Sequence, residues 1–244
     1  MRIKIINPNT SLEMTESIYK AAREAARPET EIVAVSPAQG PISIENFHDQ
    51  FIAVGGMLEE VRKGIKEKFD AFIIAAACDP GINPAREISP VPVIGIGEAS
   101  LYLASLVAAK FSIITVMKRI VPLIEEVPKR AGLMDRIASI RWTNLTVLDT
   151  EHDPGRVIQE LKTESRKAIL EDGAEAICLG CSGMVKYVEE LEKELGVPVF
   201  DGVVSAVKLA EILVDLRKKT SKVLTYQTPA AKLYKGLPTI FESR

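Results

Sequence analysis

The feature that most restricts the fold of this chain is an internal repeat. Residues 70–100 and 175–206 each contain an apolar strand-like segment, a cysteine in a turn of small residues, a helix-like segment and a Val-Pro-Val strand. Cys78 occupies the turn of the first copy and Cys181 that of the second. The period of about one hundred residues is too long for the repeats of a solenoid. The repeat therefore indicates a duplication that produced two similar lobes related by approximate two-fold symmetry.

Short β-branched apolar segments alternate with helix-like segments along the chain. Segments that are apolar on both faces are typical of buried parallel strands, and their alternation with helices indicates βαβ units. We predict an α/β fold with two Rossmann-like lobes: residues 1–97 plus 205–244, and residues 98–204. The active-site cleft is expected between the lobes. The predicted strands are residues 3–6, 31–35, 71–76, 91–96, 111–116, 140–148, 176–180 and 197–200.

The charge pattern indicates a small-molecule partner. The 31 basic and 33 acidic residues nearly cancel and are interspersed, so the sequence contains no basic patch for nucleic acid or anionic membrane. No segment has the roughly 20 apolar residues that span a bilayer, and the first apolar run is too short for a signal peptide. With only three cysteines in 244 residues, a disulfide framework is disfavoured. We expect a cytoplasmic protein.

The two repeated cysteines are expected at a position suited to chemistry. Ligands of parallel α/β sheets bind beyond the carboxyl ends of strands, where Cys78 and Cys181 each precede a helix. The positive end of a helix lowers the pKa of a thiol, and the resulting thiolate can act as a base. Small residues in these turns, Gly81 on one side and Ser182 and Gly183 on the other, allow close approach of a ligand to backbone amides that could hold an enolate oxygen.

Other interpretations of the cysteines must be weighed. A free cysteine is among the most buried residue types, so each thiol could be core packing, and we interpret Cys178 in this way because it lies within a strand. Cys178 and Cys181 also match the C-x-x-C pattern of redox and zinc sites. However, His48 and His152 have no ligand spacing, and the chain lacks complete dinucleotide and Walker motifs. We predict no organic cofactor and no metal.

Four motifs together resemble the hydantoin/allantoin racemase branch of the aspartate/glutamate racemase superfamily. The resemblance covers about residues 1–215. The motifs are Asn7-Pro8-Asn9-Thr10-Ser11, Asp79-Pro80-Gly81 with Ala85-Arg86-Glu87, Gly95-Ile96-Gly97-Glu98-Ala99, and Leu179-Gly180-Cys181-Ser182-Gly183-Met184.

The resemblance implies a cofactor-independent racemase that forms a homo-oligomer. One cysteine thiolate would remove the proton from the stereocentre of a 5-substituted hydantoin or of allantoin, while the second thiol returns a proton to the opposite face. The pair would be Cys78 and Cys181. The substrate-binding residues would be Asn9, Thr10, Asp79, Gly81, Ser182 and Gly183. For Asn9, Thr10 and Ser11, helix capping is an equally good interpretation.

The sequence departs from the family at one point. The family's first cysteine lies two positions earlier, where this chain has Ala76. Either Cys78 takes its place or the first base is absent. Three alternatives therefore remain: an aspartate/glutamate-type amino-acid racemase, a related isomerase or decarboxylase, and a non-catalytic binding protein on the same scaffold.

Overall fold

The computed structural model describes residues 1–232. The remainder of the predicted first lobe, residues 233–244, lies outside the described residues. The strands are β1 (Arg2–Ile6), β2 (Glu31–Val35), β3 (Ala71–Ile74), β4 (Val93–Gly95), β5 (Phe111–Thr115), β6 (Ile137–Trp142), β7 (Ala176–Leu179) and β8 (Val199–Phe200). The α-helices are α1 (Leu12–Ala25), α2 (Phe47–Lys66), α3 (Ile82–Ile88), α4 (Ile96–Val107), α5 (Val121–Ala131), α6 (Asp149–His152), α7 (Pro154–Leu170), α8 (Val188–Leu195) and α9 (Gly202–Asp215).

The strands form two four-stranded parallel sheets with the same topology. The strand order is β2-β1-β3-β4 in the first sheet and β6-β5-β7-β8 in the second. Each strand of one sheet thus has a counterpart in the other, β1 with β5 and β3 with β7. The predicted fold class, two similar Rossmann-like lobes with parallel sheets, is confirmed.

The central strands are buried on both faces, as expected for parallel sheets covered by helices. Phe72 and Ile73, neighbours in β3, point to opposite faces and neither has exposed surface. Phe72 packs in a smaller core with Met57 and Val61 of α2. Ile73 belongs to a larger core that also includes Ile177 of the second sheet. Burial of both faces explains why the strands appear in the sequence as continuous apolar runs.

Two helices connect the sheets. The chain passes from the first sheet to the second through α4, which packs against β7 and β8. The later helix α9 returns to the first sheet and packs against β3 and β4, and the two helices also contact each other. Among residues 1–232, no helix is long and apolar enough to cross a membrane.

The sixth strand differs from its prediction. We predicted residues 140–148, whereas β6 ends at Trp142. The neighbouring strand β5 ends at Thr115, which pairs with Trp142, so the ladder has no further partner. Thr143 still donates its N–H to the carbonyl of Thr115 at 2.9 Å, and its hydroxyl donates to the carbonyl of Val116 at 2.7 Å. The following residues form a loop and α6, which contribute to the site described below.

Candidate active site

Strand-end loops from the two sheets contact one another directly. The N–H of Val147, in the loop after β6, donates to Glu45 from the loop after β2 at 3.4 Å. Ser17 of α1 donates to Glu151 of α6 at 3.0 Å. The two thiols also lie within electrostatic range of each other, since charge on Cys181 makes a small contribution to raising the pKa of Cys78. The structure therefore brings the two predicted thiols to the junction between the sheets.

Cys78 lies in the turn after β3 and is almost fully buried, with 3% of its surface exposed. Burial, followed by the neighbouring charge of Asp79, raises the pKa of the Cys78 thiol to about 12. The next helix, α3, begins only at Ile82, so Cys78 is not in its first turn. In the free protein at neutral pH this residue is therefore a thiol, which can give a proton.

Cys181 follows β7 and immediately precedes a 3-10 helix at Ser182–Tyr187. It is the most exposed of the three cysteines, none of which forms a disulfide. Burial nevertheless raises the pKa of Cys181 to about 11, while hydrogen bonds from the Gly183 N–H and from Thr150 lower it. Cys181 is therefore the more readily ionised member of the pair.

The expectation that helix N-termini lower both thiol pKa values is wrong for the free protein. Burial is the largest influence at each cysteine and raises the pKa. The helix effect falls off within one turn. Cys78 lies outside the first turn of α3, and Cys181 precedes only a short 3-10 helix. Desolvation of the thiolate therefore outweighs the helix dipole at both positions.

Three residues that the sequence did not identify lie around Cys181. Thr150 hydrogen-bonds to its sulfur, and the charges of Glu151 and Glu45 raise its pKa. Glu151 is buried and accepts from Lys186 at 3.2 Å. A side chain at Gly183 would collide with the Thr150 hydroxyl, so glycine is needed there. These residues come from loops far apart in sequence, and no local motif connects them to the cysteine.

The predicted substrate-binding residues of the first strand-end loop form a tight network. The side-chain oxygen Oδ1 of Asn9 accepts from the Ser11 N–H at 2.9 Å and from the side-chain amide of Asn7 at 2.8 Å. Ser11 is the N-cap residue of α1, accepting from the Met14 N–H. Thr10 donates through its hydroxyl and its N–H to the carbonyl of Pro41. Helix capping is therefore confirmed for Ser11 and not for Asn9 or Thr10, whose side chains bond within the loop and to Pro41.

The remaining predicted site residues lie in the two cysteine turns. Ser182 is buried and Gly183 donates its N–H to the Cys181 sulfur. Gly81 is the N-cap residue of α3 and faces Val54 and Met57 of α2. The Asp79 side chain has no exposed surface. Its carboxylate is therefore enclosed in protein.

Two parallel α/β lobes with a cysteine at equivalent strand ends define a class of enzyme that performs acid/base chemistry at a carbon centre. The match to family models agrees, because residues 3–210 match the family described as Asp/Glu/Hydantoin racemase. A hydantoin racemase from Pseudomonas sp. (strain NS671) is 52% identical over 236 residues, covering 97% of this chain and 95% of that protein. The hydantoin racemase of Rhizobium meliloti is 42% identical, covering 97% and 98%.

Solved structures give the same answer. The allantoin racemase from Klebsiella pneumoniae superposes with a TM-score of 0.94 at 42% identity, covering 97% of this chain and 96% of that one. This chain belongs to the Asp/Glu/hydantoin racemase family and is a racemase. Arylmalonate decarboxylase, with a TM-score of 0.64 at 16% identity, shares the fold alone.

Proposed function

We propose that this racemase inverts the stereocentre of 5-substituted hydantoins or of allantoin, with Cys78 and Cys181 as its acid/base pair. The observation that supports this most is that the two thiols follow equivalent strands of the two sheets, β3 and β7, and lie within electrostatic range of each other. The relatives named hydantoin racemase and allantoin racemase support the substrate class.

The chemistry suits the residues. The reacting C–H of a hydantoin is flanked by a carbonyl and a ring nitrogen, so the carbanion delocalises into an enolate without a cofactor. Cys181 as thiolate would take this proton while the Cys78 thiol gives one to the opposite face, and the roles exchange for the other enantiomer. We propose that Asn9, Thr10, Gly81, Ser182 and Gly183 hold the ring or its enolate oxygen, largely through backbone amides.

We further propose that the cleft separates the predicted lobes, residues 1–97 plus 205–232 and residues 98–204. The packing of α9 against β3 and β4 supports this division.

We also propose a cytoplasmic homo-oligomer. Three unpaired cysteines suit a reducing compartment, and exposed apolar side chains at Phe47 and Phe51 of α2 suit a subunit contact.

The test uses single enantiomers of a 5-alkyl hydantoin and of allantoin in D2O, followed by polarimetry and proton NMR. Loss of rotation with deuterium entering the stereocentre is expected for the wild type, and neither Cys78→Ala nor Cys181→Ala should racemise. Cys178→Ala is the matched control, because Cys178 is as buried as Cys78, and it should retain racemisation. No exchange with any hydantoin would refute the substrate class and favour an amino-acid racemase.

A further inference from the structure

The side chain of Asp79 is held by three donors. Its carboxylate accepts the N–H of Gly97 at 2.8 Å and the N–H of Glu98 at 2.9 Å, both in the first turn of α4. The guanidinium of Arg130 donates to it at 2.9 Å. Hydrogen bonds to a charged group are shorter and roughly twice as strong as neutral ones. The carboxylate therefore ties the turn that contains Cys78 to α4 and to α5.

The start of α4 is shaped to receive this carboxylate. The N-cap residue of α4 is Gly95, which has no side chain that could cap the helix, and Asp79 supplies the missing acceptor. A side chain at Gly95 would overlap the Asp79 carboxylate. A side chain at Gly97 would overlap the carbonyl of Ala77. The cysteine turn and the helix start thus fit one another only with glycine at both positions.

The backbone of the turn also requires this anchor. Asp79 has a φ of +46°, in the left-handed region that residues other than glycine seldom adopt. Such a conformation is strained and persists where surrounding contacts enforce it. Cys78 immediately precedes this residue. The direction of its thiol therefore depends on the Asp79 contacts.

The Arg130 contact extends from one sheet to the other. Arg130 lies in α5, which follows β5 of the second sheet, whereas Asp79 follows β3 of the first. Cys181 follows β7, the direct neighbour of β5. The ion pair therefore connects the turn of one thiol to the half of the molecule that holds the other.

We propose that Asp79 and Arg130 are positioning residues of the racemase, which hold Cys78 opposite Cys181. The inference rests on the proposed two-thiol reaction. It assigns Asp79 a role through Cys78 rather than in contact with substrate. A displacement of about 1 Å at a reacting group can cost roughly a hundredfold in rate. Loosening this turn should therefore slow proton transfer to and from Cys78 more than proton transfer to and from Cys181.

The test compares deuterium entry from D2O into each enantiomer of the hydantoin separately. The enantiomer that still exchanges its proton for deuterium in Cys78→Ala is deprotonated by Cys181, and we call it the Cys181 enantiomer. The other is deprotonated by Cys78, and we call it the Cys78 enantiomer. In Arg130→Gln we expect exchange of the Cys78 enantiomer to fall at least tenfold and exchange of the Cys181 enantiomer to change less than threefold. Arg130→Lys, which retains the charge, should restore part of the lost exchange.

The matched control is Arg141→Gln. Arg141 is similarly buried, and its ion-pair partners Asp172 and Glu171 belong to neither cysteine turn. This variant should leave the ratio of the two enantiomers' deuterium-exchange rates unchanged. If folded Arg130→Gln slows deuterium exchange of both enantiomers equally, the positioning role is overturned. If Arg130→Gln does not fold, the same measurement is made on Arg130→Lys. Slower exchange of both enantiomers with an unaltered ratio of their exchange rates would then overturn the inference. Absence of exchange in the wild type would instead refute the proposed function.

Discussion

Replacing Thr150 by valine should make Cys181 harder to ionise. Valine has nearly the shape of threonine, so the change removes the hydroxyl and little else. In the thiol state this hydroxyl donates to the carbonyl of Val147 at 2.6 Å. When Cys181 ionises, the same hydroxyl can hydrogen-bond to the thiolate, which is why Thr150 lowers the pKa of Cys181.

The size of the effect follows from the difference between two hydrogen bonds. A hydrogen bond to a charged group contributes about 1.5–3 kcal/mol and one to a neutral carbonyl about 1 kcal/mol. The difference of about 1.4 kcal/mol corresponds to about one pKa unit, and so to about tenfold less thiolate below the pKa. A thiolate of higher pKa is about threefold more nucleophilic per pKa unit. Alkylation of Cys181 should therefore slow by about three- to fourfold.

The assay is alkylation of the native protein by iodoacetamide at pH 8, with the modified cysteine identified by mass spectrometry. Thr143→Val is the control, since Thr143 is equally buried and donates to the carbonyl of Val116 at 2.7 Å. Both variants should lose about 1 kcal/mol of unfolding free energy with the hydrogen bond of the hydroxyl. Only Thr150→Val should slow alkylation, and equal Cys181 rates in the two variants would refute this reasoning.

Three further predictions concern pH and the C-terminal segment. Because burial raises the pKa of Cys181 to about 11, its alkylation rate should rise about tenfold per pH unit between pH 7 and about 10, and a plateau near pH 8 would contradict this. Burial raises the pKa of Asp201 to about 6, so the folded state binds this proton more tightly than the unfolded state does. The resulting contribution to the free energy of unfolding is present below about pH 4 and is lost as the pH rises through 6. The fall in unfolding free energy between pH 4 and pH 7, measured by urea unfolding, should therefore be smaller in Asp201→Asn than in the wild type by up to about 3 kcal/mol. Lys222 donates to the carbonyls of Arg86 and Glu87 at 2.7 and 2.9 Å, so Lys222→Ala should speed amide exchange in α3, whereas unchanged exchange would show that this contact contributes nothing.

The repeat in the sequence was sufficient to predict the architecture. The apolar segments around Ile73 and Ile177 are buried on both faces, which made them recognisable as parallel strands. The strand at residues 140–148 was misplaced because Val147 and Leu148 are apolar although they lie in a loop. What ends β6 is the end of its partner at Thr115, and the pairing of two strands cannot be deduced from the sequence of one.

The site was predictable only in part for a similar reason. Strand ends located Cys78 and Cys181, because their position follows from local structure. The pKa values of the thiols depend instead on burial and on Glu45, Thr150 and Glu151, which tertiary structure brings together. The role of Asp79 was also hidden, since its acceptor geometry depends on α4 and on Arg130, more than fifty positions away along the chain.

The two halves have kept the same strands while their cysteine turns have diverged. In the second half, Asp201 is itself the N-cap residue of α9 and accepts from the Val204 N–H at 2.9 Å. In the first half the equivalent cap is Gly95, so Asp79 must supply the carboxylate from the cysteine turn. The Asp79 carboxylate thus anchors the Cys78 turn to α4, and its charge adds to the burial that raises the pKa of Cys78. Asp201 instead caps its own helix and is not among the groups that shift the pKa of Cys181, so the two duplicated turns place their thiols in different electrostatic surroundings.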